Sequence, residues 1–201
     1  IVLPEIFGLN GWVRGVADRL SAAGVPALAM PVFARTAPEL ALGYDPDSTS
    51  EGRRHKEATS TEGILADVQA SIDWLRQALE TRDQPLRITV VGFCFGGHAA
   101  LLAATLAEVQ VSLDFYGAGV SRGRPGGGAP SLELLPLVKG ELHCLCGSID
   151  PLIPSADQQA IQAALQAEDP KGLRLRYSAF EGADHGFMCE ARDQYHQASA
   201  E

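Results

Sequence analysis

Hydrophobic and polar positions along the chain fall into two alternating kinds of segment. Short apolar-rich runs occur at residues 1–4 (IVLP), 26–32 (PALAMPV), 87–92 (RITVVG), 111–115 (VSLDF), 141–147 (ELHCLCG) and 173–179 (LRLRYSA). Runs of this length predict β-strands, and the several that are apolar at nearly every position predict parallel strands covered on both faces. Between them lie longer stretches with apolar residues every three or four positions, the period of an amphipathic helix. Asn10 caps one that carries Val13, Val16 and Leu20 and ends at Gly24. Thr59 and Glu62 form a capping box for a longer one, with Ile64, Leu65, Val68, Ile72, Leu75 and Leu79 on one stripe. Further helices are expected over 96–107, 155–168 and roughly 190–200. Repeated strand–helix order about one core predicts a doubly wound, mostly parallel α/β sheet flanked by helices, in a single domain over 1–201.

Two stretches escape this rhythm. Residues 38–54 (PELALGYDPDSTSEGRR) are polar and turn-rich, and are expected to form a long loop over the strand ends. Residues 121–130 (SRGRPGGGAP) are glycine-rich, and a mobile loop is expected there. Open α/β sheets place their sites in the loops at the carboxyl ends of the strands.

Composition narrows the function classes. With 46% hydrophobic residues, a chain of 201 can bury a substantial core. No apolar run approaches the ~20 residues of a membrane span. The net charge of −9 disfavours nucleic acid, and no basic cluster exceeds Arg53-Arg54. Cysteines 94, 144, 146 and 189 form no CxxC pair and no zinc-site spacing, so no metal is expected. Cys144 and Cys146 share one face of a strand, where packing is the expected role. Few cysteines without a disulfide framework point to a reducing compartment, the cytoplasm. The chain opens at Ile1 without an initiator Met, and an amino-terminal piece is expected to be missing. The expected assembly is a monomer or a small homo-oligomer, and no cofactor is expected.

The chemistry centres on Gly92-Phe93-Cys94-Phe95-Gly96, at the end of an expected strand and the start of an expected helix. A nucleophile elbow needs this context, because side chains two residues before and after the corner would collide. The helix amino terminus favours a thiolate or an oxyanion, and the Phe95 amide can donate to the latter. A thiol nucleophile needs a base and the base an orienting acid. Asp150 (GSIDPLIP) and His185 (GADHGF) follow in that order, each in a loop after a later strand. Singly, Asp150 reads as a helix cap and His185 as a surface residue; together they read as a triad.

LPEIFG at the start, GFCFGG at the elbow, DFYGAG, GSIDPLIP and GADHGF together resemble the dienelactone hydrolase family over nearly the whole chain. The resemblance implies an α/β-hydrolase fold and a Cys94–Asp150–His185 triad acting on an ester or lactone through a thioester. It implies that Glu5 lies near the thiol and takes part in forming the thiolate. It also implies that the Ile6 amide joins that of Phe95 as an oxyanion donor. The family has strands before the first one here.

The pattern departs from the family beyond the histidine. Gly186 follows His185, and Cys189 stands where an arginine that helps bind the substrate carboxylate is expected. Arg53, Arg54 or Arg192 is then the alternative basic partner, and Tyr116 is a candidate pocket-lining residue. These departures put dienelactone itself in question as the substrate. His98 is expected to pack or cap, and Asp114 is the alternative acid. Three readings stay open: a cysteine hydrolase acting on a small-molecule ester or lactone, a non-catalytic homologue that binds, and a thiol redox protein.

Overall fold

The computed structural model describes residues 1–79 and 86–201, and its frame is a five-stranded sheet. The strands β1 (Val2–Leu3), β2 (Ile88–Phe93), β3 (Val109–Phe115), β4 (Glu141–Gly147) and β5 (Leu175–Phe180) lie side by side in that order, every pair parallel. Their carboxyl ends are in line, with Leu3 beside Gly92, Phe93 beside Phe115, Phe115 beside Leu145 and Gly147 beside Phe180. The segments leaving the strands therefore start from one edge of the sheet. Glu5, Cys94, Tyr116, Asp150 and His185 all stand on those segments.

The helices follow the apolar periods closely. Helix α1 (Gly11–Ala22) starts at Asn10, whose Oδ1 accepts from the Val13 N–H at 3.3 Å. Helix α3 (Thr61–Leu79) buries Ile64, Val68, Ile72 and Leu75, each worth roughly 1.5–3 kcal/mol of transfer free energy. Helix α4 (Phe95–Ala103) is buried at every position and packs on β1, β2 and β3, as its run of Gly, Ala and Leu allows. Helix α5 (Ser155–Glu168) packs on β5 through Ile161 and Leu165. Cys144 and Cys146 are both buried in the same cluster, in the packing role expected of them. No helix among the described residues is long and apolar enough to cross a membrane.

Four local expectations are corrected. Residues 26–32 form no strand: Val2 N–H reaches Leu28 O at 2.8 Å, Met30 N–H reaches Val2 O at 3.0 Å, and pairing stops there. Pro26 and Pro31 have no N–H to extend the ladder. Within 38–54 a helix, α2 (Pro46–Glu57), replaces the expected loop. Asp45 caps it, accepting from the Ser48 N–H at 2.9 Å, and Pro46 opens its first turn. The cap of α3 is Ser60, not Thr59: Ser60 Oγ accepts from the Gly63 N–H at 3.1 Å, while Thr59 Oγ1 donates back to His55 O. Of the helix expected over 190–200 only α6 (Gln197–Ala200) forms, and successive tight turns occupy 186–196.

The glycine-rich loop is tied at several points. Both the N–H and the Oγ1 of Thr61 donate to Pro125 O at 2.9 Å. Ser131 Oγ lies 2.7 Å from His98 Nε2, and Arg124 donates to the Ala129 and Pro130 carbonyls. His98 is thereby a structural tether, its Nδ1 3.1 Å from Ala118 O, as the packing-or-cap expectation had it.

Helix α2 touches the site through Gly52, where a Cβ would overlap the Ile6 carbonyl oxygen. Gly52→Ala should therefore lower stability by about 1–3 kcal/mol. Gly11→Ala, which faces open space, should not lower it. Urea midpoints of the two variants check the contrast.

Candidate active site

At the end of β2 the chain turns straight into α4, with Cys94 at the corner. Cys94 has φ 55° and ψ −116°, a conformation that L residues seldom hold. Its N–H donates to Phe115 O at 3.0 Å and its carbonyl accepts from the His98 N–H at 3.1 Å. A Cβ on Gly92 would overlap the Gly96 carbonyl, and one on Gly96 would overlap the carbonyls of Leu3 and Pro4. Gly92 thus relieves a collision across the corner, as expected, whereas Gly96 is needed for the close approach of the chain after β1.

Asp150 follows β4 and His185 follows β5. The Asp150 carboxylate is fixed by the N–H groups of Leu152 (2.7 Å) and Ile153 (3.3 Å) on Oδ1, leaving Oδ2 to accept from His185 Nδ1 at 2.8 Å. The other ring nitrogen, Nε2, is buried without a partner among the described residues. Burial disfavours a charged imidazole, but the Cys94 sulfur and the Asp150 carboxylate outweigh it and push His185 up to about 10. For the ring, an imidazolium is the charge state this environment favours. Asp184 does not compete for the ring; its Oδ1 accepts from the His185 backbone N–H at 2.5 Å. Asp114, the alternative acid, is buried beneath Gly97 and Gly117, with no bond to His185. Burial raises it to about 7, against the pull of the Gly117 N–H and the Cys144 thiol.

Glu5 is buried beside these groups. Arg192 Nη1 donates to its Oε1 at 3.0 Å, and its Oε2 has no partner among the described residues. Burial pushes the Glu5 carboxyl up, and the charges of Arg192 and His185 hold it back. Arg192 reaches Glu5 because residue 186 is glycine: at φ 89°, a Cβ there would sit 2.5 Å from Arg192 Nη1. The guanidinium also lies over the rings of Phe7 (5.7 Å) and Tyr44 (5.9 Å). Cys189 is fully buried and its Sγ donates to the Tyr44 hydroxyl at 3.2 Å. Of the three basic residues considered from sequence, the structure brings Arg192 to the site. Arg53 and Arg54 are exposed on α2, and Arg54 pairs with Glu51.

The N–H groups of Ile6 and Phe95 have no acceptor among the described residues. Two free amides beside a thiol can hold an oxyanion. Tyr116 has no exposed surface, so it stands behind the site, not on an open wall. Beside Phe95 and His98 opens a cavity of about 320 Å³ walled by Lys56, Arg122 and Arg124, three cations that sequence reasoning did not gather. An apolar cleft of about 400 Å³, between Val16, Leu20, Leu75 and Met188, is lined by none of Cys94, Asp150 and His185. Among the described residues no cluster of His, Cys, Asp or Glu is arranged to hold a metal.

Comparison with known proteins gives a consistent set of relatives. The model of the dienelactone hydrolase family matches residues 1–201. A Synechocystis sp. protein named as a candidate carboxymethylenebutenolidase is 36% identical over 200 residues, covering all of this chain and 79% of its own length. The carboxymethylenebutenolidase of Pseudomonas putida is 27% identical over 203 residues, with the same coverage. In fold, the crystal structure of a candidate dienelactone hydrolase from Klebsiella pneumoniae matches with a TM-score of 0.82 at 23% identity, over 99% of this chain and 80% of that one.

The raised His185 has a consequence for stability. A group whose folded pKa lies above its unfolded value stabilises below the unfolded value and loses that contribution as pH climbs through the folded one. For His185 the window runs from its ordinary 6.5 to about 10. The urea midpoint of the wild type should therefore fall more between pH 7 and 10 than that of His185→Gln. Parallel pH curves for the two proteins would contradict the assignment.

Proposed function

Because the chain belongs to the dienelactone hydrolase family, and is a hydrolase of ester or lactone bonds, we propose that Cys94, Asp150 and His185 are its catalytic triad and that the reaction passes through a thioester on Cys94. The observation that carries the reading is the 2.8 Å Asp150–His185 contact, which leaves Nε2 unpartnered next to a cysteine in the left-handed region.

The steps follow from the charges. The proton lost by the Cys94 thiol is held on His185 Nε2 before substrate binds, and the thiolate adds to the substrate carbonyl. The carbonyl oxygen gains the negative charge, and the Ile6 and Phe95 amides are placed to donate to it. As the tetrahedral centre collapses, the C–O bond breaks and His185 protonates the departing alkoxide, which stays tethered when the substrate is a lactone. The thioester carries no charge on sulfur, so the influence that kept His185 protonated is gone. Neutral His185 then takes a proton from water, hydroxide adds to the thioester, and the thiolate leaves.

Glu5 modulates the first step. It is the carboxylate nearest in role to the thiol proton, and Arg192 sets its charge by holding Oε1. A lactone substrate agrees with the names of the relatives, and the family likeness displaces the binding-only and redox readings. The four free cysteines fit a reducing compartment such as the cytoplasm.

The test is turnover of p-nitrophenyl acetate and a panel of small lactones. Cys94→Ala and His185→Ala should each lose about 10³-fold or more in kcat, and Asp150→Asn about 10²–10⁴-fold. A single-turnover quench should trap a mass adduct on the Cys94 peptide. Undiminished turnover by Cys94→Ala would sink the triad, and absence of turnover by the wild type across the panel would sink the substrate class.

A further inference from the structure

Tyr116 is the large polar residue that the steps above leave unused, and its placement is unusual twice over. It follows β3 at φ 43°; besides Cys94 it is the non-glycine residue with positive φ among those described. Its side chain is fully buried, yet the hydroxyl has no hydrogen-bond partner. Both features cost free energy, and neither is needed to fill space, since phenylalanine has the same ring.

The backbone explains where the ring is aimed. The Tyr116 N–H donates to Leu145 O at 2.8 Å, which carries the β3–β4 ladder one residue further while the left-handed turn swings the side chain back toward the elbow. There the ring is clamped by His185 and Phe187, each with centroids 5.2 Å away, and by Phe93 at 6.2 Å. The charged and titratable groups around it come from four elements: Glu5 after β1, Cys94 at the elbow, His185 after β5, and Cys189 with Arg192 on the turns beyond. Glu5 Oε1 is taken by Arg192, and Oε2 is a buried acceptor without a donor. The Tyr116 hydroxyl is a buried donor without an acceptor, on a ring packed against His185, and the tyrosine helps to hold the Glu5 carboxyl back against burial.

We propose that Tyr116 is a positioning residue whose hydroxyl donates to Oε2 of Glu5, completing with Arg192 a two-point clamp that fixes the carboxylate's orientation and charge beside the Cys94 thiol. The two unpartnered atoms answer one another: one is a buried donor and the other a buried acceptor. The proposal rests on the reading of Cys94 as the nucleophile and deepens it, since the clamp sets the charge against which the thiolate forms.

The test needs no substrate. The rate of Cys94 alkylation by iodoacetamide, followed on the Cys94 peptide by mass spectrometry, is measured against pH. Ionised Glu5 repels a thiolate, so its titration should appear as a step in that profile. Tyr116→Phe removes a donor to the carboxylate and should move the step upward by about half a pH unit or more. Glu5→Gln should abolish the step, and the double variant should match Glu5→Gln. An unmoved step in Tyr116→Phe, or an equal change from Tyr116→Phe in the presence and absence of Glu5, overturns the proposal. A residue that only packs would alter the melting temperature and leave the step where it is. A second reading uses the intact tyrosine: the slowly exchanging Tyr116 hydroxyl proton should move upfield in the NMR spectrum of Glu5→Gln, and a resonance that stays put overturns the clamp. Loss of ester turnover with the alkylation pattern intact would count against the hydrolytic reading alone.

Discussion

The site depends first on one backbone constraint: a cysteine held at positive φ between a strand that ends and a helix that begins. Cys94 keeps that conformation because Gly92 and Gly96 let the chain close on itself, and because its own N–H and carbonyl are bonded to Phe115 and His98. The turn places the thiol at the amino end of α4, with the Phe95 amide unspent. It also anchors the other groups. His98 ties the elbow helix to the glycine-rich loop, and the close approach of Gly96 to Leu3 and Pro4 sets the turn that carries Glu5 and Ile6.

Around that corner the structure concentrates charge in a place where charge is expensive. Asp150, His185, Glu5 and Arg192 are all largely shielded from solvent, and each has at least one ionic or hydrogen-bonded partner. Buried pairs of this kind add little net stability, because desolvation offsets most of their attraction. Their value here is orientation. Asp150 fixes the imidazole, Arg192 fixes one carboxylate oxygen, and the unpartnered atoms that remain, His185 Nε2 and Glu5 Oε2, belong to the groups assigned to the thiol.

Much of this was legible in the sequence, for identifiable reasons. The elbow is local: five residues state both the collision and its relief. Asp150 and His185 could be paired from sequence because parallel strands put every following loop at one edge, so order along the chain becomes proximity in space. Helix α2 was missed because PDSTSEGRRHKE has no apolar stripe to detect, although Asp45-Pro46 is a clear capping signal. Residues 26–32 have strand composition, but two prolines leave them a single bridge. The role of Arg192 was only one of three possibilities, since nothing in a sequence says which cation will fold back on a carboxylate at position 5. Gly186 was the available clue. Its missing side chain reads as a gap until the guanidinium is seen filling it.

The Glu5–Arg192 pair also joins two residues separated by 187 positions. On a ribosome working at about 5–20 residues per second, roughly 10–40 s pass between the synthesis of the carboxylate and that of its counter-ion. Cys94, Asp150 and His185 are all made within that interval. A chain whose first four strands have been made therefore still lacks the cation that pairs with its buried carboxylate. Until Arg192 is made the Glu5 carboxylate has no guanidinium to meet, so the burial of that pair belongs to a late stage of folding.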